Sequence, residues 1–177
     1  MSEAEKQQLL RALRDGREVL GASLAGLDEK LAARKPANGG WSVRECVEHV
    51  VNVEEYLLGR LRAATEIPQP QENPKREAKI AAYAADRTRK IEAPPLSHAH
   101  GRFAAVPEAL AAFDAARAGV MGWLEPFGGD LRCWVTDHPL VPGPVTCYET
   151  LVMIAAHPKR HAEQIEEIRK ELAGGRT

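Results

Sequence analysis

The stretch TCYETLVMIAAHPKRHAEQIEEIRKEL, residues 146–172, repeats apolar side chains at intervals of three and four and predicts a long amphipathic helix. Thr146 and Glu149 have the spacing of a capping box, so the helix is expected to begin at this threonine. Pro158 lies inside the stretch, and the apolar register continues on both sides of it. Because a proline removes one backbone donor and crowds the turn before it, we predict a kinked helix that continues through Pro158.

Working outward, the same apolar period recurs in three other parts of the chain. It predicts helices over residues 2–34, 42–64 and 107–125. Ser42 and Glu45 form a second capping-box pair. Between the second and third of these helices, a short helix is expected at 75–90, followed by an extended or irregular stretch. Since no alternating strand pattern stands out, the predicted fold class is all-α, a four-helix bundle forming a single domain over residues 1–177.

Composition and charge exclude several classes of protein. Lys and Arg number 24 and Asp and Glu 25, a net charge of -1, which argues against a nucleic-acid binder. No run approaches 18 apolar residues, so no membrane partner is expected, and the first residues lack the apolar segment of a secretory signal. The three cysteines include no Cys-x-x-Cys pair. This usage predicts free thiols and a cytoplasmic location.

Three histidines are candidate metal ligands. His157 and His161 lie four residues apart on the apolar stripe of the last helix, where two imidazoles can bind one cation. His49, in the middle of the second helix, is the natural third ligand. Cys46 could be a fourth, although a small buried thiol is the simpler interpretation. The alternative for the pair is a set of core histidines with internal hydrogen bonds, since this spacing alone is a weak signal.

The other motifs give weaker evidence of a functional site. His-Pro-Lys-Arg-His is not the His-Glu-x-x-His of metalloproteases, and no serine elbow is present. The pair His98 and His100 indicates a solvated loop, and Lys159-Arg160 a solvated helix face. His138, before a proline, is expected at the mouth of a pocket or bonded to a turn carbonyl.

Two stretches together are similar to a known family. WSVRECVEHVVNVEEYLLGRL, residues 41–61, resembles the second helix of the DinB-like superfamily, with its Trp-Ser start and its histidine. HPLVPGPVTCYETLVMIAAHPKRHAEQIEEI, residues 138–168, resembles the family's C-terminal signature, in which a His-Pro and Gly-Pro loop leads to two histidines and a Gln-Ile pair. The resemblance covers most of residues 38–170.

The resemblance implies an up-down-down-up bundle with long crossover connections, a homodimer, and nickel or zinc held by His49, His157 and His161. It also implies that a low-molecular-weight thiol is the small-molecule partner of an S-transferase. Gln164, one turn beyond the last ligand, is expected to support the metal site or line a pocket. The loops 91–106 and 128–145 would roof that pocket, with Trp134 and His138 in it. A metal-dependent hydrolase, a non-catalytic metal- or small-molecule-binding bundle and a purely structural bundle are the alternatives.

Overall fold

The computed structural model of the chain describes residues 1–174 and is mostly helical. Its long helices are α1 (Glu3–Ser23), α3 (Val43–Arg62), α5 (Val106–Leu124) and α6 (Cys147–Gly174), and its short ones are α2 (Glu29–Ala33) and α4 (Pro74–Ala85). The predicted all-α class is confirmed. Across residues 1–174, every helix is too short or too polar to cross a membrane.

The helix starts follow the predicted caps. The Glu45 backbone N–H donates to the Ser42 hydroxyl at 3.2 Å, and at the start of α6 the Glu149 backbone N–H donates to the Thr146 hydroxyl at 3.1 Å. In both boxes the glutamate also accepts from the cap residue's own N–H. α6 then runs without interruption past Pro158, so its predicted continuation is confirmed.

The prediction of one helix over residues 2–34 is wrong. α1 stops at Ser23, and α2 begins after a turn in which Gly26 has a φ of 64°. That left-handed conformation suits glycine, and the Asp28 side chain then caps α2 by accepting from the Leu31 N–H. The short helix expected at 75–90 also ends earlier, at Ala85.

Part of the chain expected to be irregular forms a small antiparallel sheet. Its strands are β1 (Thr65–Glu66), β2 (Trp134–His138) and β3 (Val141–Thr146), in the order β1-β2-β3. Pro142 and Pro144 hide β3 in the sequence, because proline is unfavourable in most strands. They are tolerated here because β3 lies at the edge of the sheet.

Contacts between helix ends give the direction of α1 relative to two neighbours. Lys6, near the start of α1, donates to the carbonyl of Glu125 at the end of α5, so these helices run antiparallel. Arg169, late in α6, donates to the carbonyl of Ser23 at the end of α1, so these two run parallel.

α3 packs between α5 and α6. Arg44, in its first turn, donates to the Ala104 carbonyl just before α5, so α3 and α5 run parallel. The Ala37 N–H, before α3, donates to Glu171 near the end of α6, so α3 and α6 run antiparallel. Together these contacts give the order up-down-down-up for the four long helices. The parallel α3–α5 pair requires a crossover, which residues 63–105 supply, and α4 in that crossover packs on α6.

The core consists of two apolar clusters separated by a polar layer. One cluster contains Leu13, Leu57 and Leu151, and the other contains Leu20, Phe113 and Ile165. The layer between them consists of buried and half-buried polar side chains, which include the two histidines of α6: Glu54, Arg117, His157, His161.

Candidate metal centre

Three histidines meet in the polar layer. One nitrogen from each of His49, His157 and His161 lies within 4.8 Å of the other two. Nε2 of His157 and Nε2 of His161 are 3.0 Å apart. Two nitrogens at about 2.0–2.1 Å from one zinc ion lie about 2.8–3.4 Å apart at bond angles near 90–109°. The spacing of this pair therefore suits two ligands of one cation.

Two hydrogen bonds orient the rings. Nδ1 of His49 lies 2.7 Å from the Ser97 carbonyl oxygen, and Nδ1 of His161 lies 3.0 Å from Oε1 of Gln164. Because both partners are acceptors, each Nδ1 carries the proton and each Nε2 keeps its lone pair for a cation. Gln164 thus lies where the sequence analysis expected it, beside the last histidine.

The rings are held neutral. Burial lowers the pKa of His49 to about 4. Burial, followed by the charge of a neighbouring histidine, keeps the pKa values of His157 and His161 well below their usual range. Since a metal ligand must be an unprotonated imidazole, these environments favour coordination at neutral pH.

Trp41 and a loop wall off one side of the histidines. The Trp41 ring centroid lies 4.7 Å from that of His49 and 6.4 Å from that of His161. The loop that supplies the Ser97 carbonyl is held by the buried Glu48 carboxylate, which accepts the backbone N–H groups of Gly101 and Arg102, both at 3.1 Å. Glu48 is next to His49 in α3, so it fixes the position of the loop relative to the ring that this loop orients.

The proline of α6 is compensated by a buried arginine. Pro158 has no N–H for the Ile154 carbonyl, which is the acceptor one turn earlier. Nη2 of Arg117 donates to that carbonyl at 3.2 Å, and the same guanidinium pairs with both carboxylate oxygens of Glu54. Arg117 is 3% exposed and also donates to the Leu13 carbonyl. It therefore ties α1, α3 and α5 to the turn of α6 that carries His157.

The donor set fits a divalent cation. Neutral imidazoles suit zinc and nickel among other transition metals, and three protein ligands leave further positions open. The cluster opens into a cavity of about 1060 Å³. Of the described residues that line this cavity, none is an aspartate or glutamate.

Of the two other candidate residues, the structure brings His138 to the cavity but not Trp134. His138 lines the cavity, and its Nδ1 accepts from the Leu140 N–H at 3.2 Å. Trp134, expected in the pocket, instead packs edge-on against Phe127, with ring centroids 6.1 Å apart, and is not in the cavity lining. The loops expected to roof the cavity do contribute to it, through 91–97 and 138–142.

Cys46 lies in the apolar core and not in the histidine cluster. It is fully buried, and burial raises the pKa of its thiol. It is therefore a small core residue. The interpretation of Lys159-Arg160 as a solvated face holds for Lys159 only, because Arg160 is 6% exposed and lines the cavity.

Sequence reasoning missed two residues that hold the ligands in place, Ser97 and Arg117. Ser97 acts through its backbone carbonyl, which leaves no signal in the side-chain sequence. Arg117 lies four residues after Phe113 and three before Val120, on the buried face of α5, and a charged residue at such a position is a usable sign of a buried ion pair.

A comparison with models of protein families places the chain. The model described as DinB superfamily matches residues 12–165. The chain belongs to the DinB superfamily. A search of curated proteins found no match. Membership of the DinB superfamily and the three-histidine cluster are together compatible with a metal-binding protein.

Proposed function

We propose that this DinB-superfamily protein is a metal-dependent transferase that conjugates a low-molecular-weight thiol to an electrophilic small molecule. Nickel or zinc would be held by Nε2 of His49 and by the imidazoles of His157 and His161. When bound, such a cation lowers the pKa of a coordinated thiol, so that the thiol is present as the nucleophilic thiolate.

One observation carries the proposal: three neutral imidazoles, two of them oriented by hydrogen bonds, open into a large cavity whose described lining contains no carboxylate. A hydrolase of the metalloprotease type needs a carboxylate as general base, and this cavity provides none. A volume of about 1060 Å³ lies just above the usual range of about 300–1,000 Å³ for small-molecule sites. It leaves room for a thiol and a second small molecule together.

The chain's own residues have separate tasks in this scheme. The Ser97 carbonyl and Gln164 hold protons on the outer nitrogens of two rings, so that their inner nitrogens face the cavity. Trp41 covers the rings on one side and limits the access of water. The Nδ1 of His138 is engaged as an acceptor, so its Nε2 carries the proton, and this neutral donor would be available to a substrate in the cavity that His138 lines.

Turnover of an aryl halide with bacillithiol, mycothiol or glutathione tests the proposal. A carbon–sulfur bond forms and halide leaves, so the aryl thioether can be followed by absorbance. We expect turnover with added nickel or zinc, and its loss in His161→Ala but not in His100→Ala, whose exposed side chain lies outside the cluster. If no thiol is consumed while metal is bound, the transferase proposal is wrong.

The family resemblance also leads us to propose a homodimer. Sedimentation equilibrium of the purified chain, with a monomer mass of 19.4 kDa, measures this directly. A single species of monomer mass at micromolar concentration would contradict it.

A further inference from the structure

The lining of the cavity is positively charged, although the whole chain is nearly neutral. The net charge of the chain is -1. Among the described residues that line the cavity there are six cationic side chains and no anionic one: Lys75, Arg76, Lys79, Arg87, Lys90, Arg160. This separation of charge is local to the cavity and does not follow from the composition.

Two of these cations have a carboxylate partner. Arg76 pairs with Glu149 at 2.7 Å and Arg87 with Glu167 at 2.9 Å. The other four have no carboxylate within 4 Å among residues 1–174. Their charge therefore remains available to a ligand inside the cavity.

Arg160 is the most informative of the four. Its guanidinium is held by the backbone carbonyls of Asp86 and Arg89, which fix its position but carry no full negative charge. The residue is 6% exposed and directly precedes His161 in α6. A buried cation with no carboxylate in contact is costly unless an anion completes its surroundings.

The mouth of the cavity is apolar as well as basic. On α4, Lys75, Lys79 and Tyr83 follow one another at intervals of four and so lie on one face of the helix. Three of the four large apolar side chains exposed in the described chain line this cavity: Tyr83, Leu96, Leu140. A ligand that covers these side chains would carry an apolar body beside its anionic group.

We propose that the cavity selects an amphipathic organic anion, a small molecule with a carboxylate directed to Arg160, Lys79 and Lys90 and an apolar part against Tyr83, Leu96 and Leu140. The inference deepens the proposed function, on which it rests for the reacting end of the molecule at the histidines. Recognition of the carboxylate itself depends on the basic lining.

Three probes with one apolar body and different charges test the selection: 4-phenylbutyrate, 4-phenylbutanol and 4-phenylbutylamine. Binding is measured by calorimetry on the full chain, first metal-free and then loaded with zinc. We expect the carboxylate to bind at least tenfold more tightly than the amine, with affinity that falls as salt is added. Equal affinity for the three probes would overturn the proposal.

Paired variants separate the basic lining from the metal. Lys79→Gln with Lys90→Gln removes two exposed charges of the cavity, and Lys30→Gln with Lys170→Gln removes two exposed charges outside it. We expect the first pair to weaken binding of the carboxylate about two- to twenty-five-fold, because each exposed ion pair contributes a factor of about 1.4–5, and to leave binding of the alcohol unchanged. Equal losses in the two pairs, or no loss in the first, would overturn the proposal.

The same measurements distinguish this inference from the proposed function. A carboxylate bound only by the metal would lose no affinity in Lys79→Gln with Lys90→Gln and would not bind the metal-free chain. A protein that selects the carboxylate but consumes no thiol would overturn the transferase proposal alone.

Discussion

Arg117 and Pro158 are predicted to be energetically coupled, because the arginine replaces the hydrogen bond that the proline removes. Arg117→Met leaves the Glu54 carboxylate buried without its partner. Breaking a buried ion pair in this way costs about 3–5 kcal/mol, a large part of the roughly 5–15 kcal/mol that stabilises a typical domain. The variant also leaves the Ile154 carbonyl without its donor, and an unsatisfied buried group costs about 1–3 kcal/mol.

Pro158→Ala restores a backbone N–H one turn after Ile154. In the Arg117→Met background that N–H satisfies the orphaned carbonyl, whereas in the wild-type background Arg117 already does so. The loss caused by Arg117→Met should therefore be smaller by about 1–3 kcal/mol when residue 158 is alanine. Effects of the proline ring on the turn before it are present in both backgrounds and cancel in the cycle.

Urea denaturation of the metal-free protein, followed by circular dichroism, measures the four corners of this cycle. The midpoint should move without a change in slope. Arg117→Met combined with Gly59→Ala is the control, since Gly59 is exposed and a Cβ there meets nothing within 4 Å. If Arg117 and Pro158 are additive within about 0.5 kcal/mol, like the control pair, the arginine does not compensate the proline. If Arg117→Met does not fold, Arg117→Lys is used in its place in the same cycle, because lysine keeps the positive charge but lacks the forked guanidinium.

Three other predictions concern packing, orientation and pH. Gly16→Ala should destabilise the protein by about 1–3 kcal/mol, because its Cβ would lie 2.5 Å from the carbonyl oxygen of Ala155, whereas Gly59→Ala should stabilise it by up to about 1 kcal/mol. Thermal denaturation measures both variants, and equal shifts in their melting temperatures would contradict the close approach of α1 and α6. Gln164→Ala should weaken zinc binding about 10–100-fold with little effect on stability, as measured by competition with a chelator, and unchanged affinity would show that the hydrogen bond to His161 is irrelevant. As pH falls from about 6.5 to about 4, the unfolded chain takes up a proton on His49 that the folded chain excludes, since burial lowers the pKa of His49 to about 4. Unfolding of the metal-free protein should therefore become easier by on the order of 3 kcal/mol over this range, and a flat profile in urea would refute the buried, neutral state.

The helices could be predicted from the sequence because local signals and tertiary packing agree. The capping boxes at Ser42 and Thr146 and the apolar period after them define α3 and α6 without reference to the rest of the chain. The break after Ser23 was missed because the leucine period continues across it, and only the left-handed turn at Gly26 and the cap at Asp28 end the helix. The strand β3 was missed because its prolines suppress the local strand signal, even though only two residues separate it from its partner β2.

In the candidate site too, some features could be predicted from the sequence and others depend on tertiary packing. Spacing on one helix brings His157 and His161 together, and their proximity to His49 follows from the packing of α3 against α6. The carbonyl that orients His49 lies 48 residues further along the chain and is a backbone atom, so no local pattern reports it. Burial of Arg160 was also missed, since it depends on the crossover that returns over α6 with the Asp86 and Arg89 carbonyls.

Metal stoichiometry tests the central claim most directly. Protein purified without an affinity tag is loaded with nickel or zinc and freed of excess metal by gel filtration. Its metal content is then measured by inductively coupled plasma mass spectrometry. We predict one ion per chain in the wild type and in His100→Ala, and less than about a tenth of that in His49→Ala, His157→Ala and His161→Ala, because structural and catalytic sites of this kind need at least three protein ligands. Unchanged metal content in His161→Ala, or no bound metal in a folded wild type, would contradict a metal centre at these three histidines.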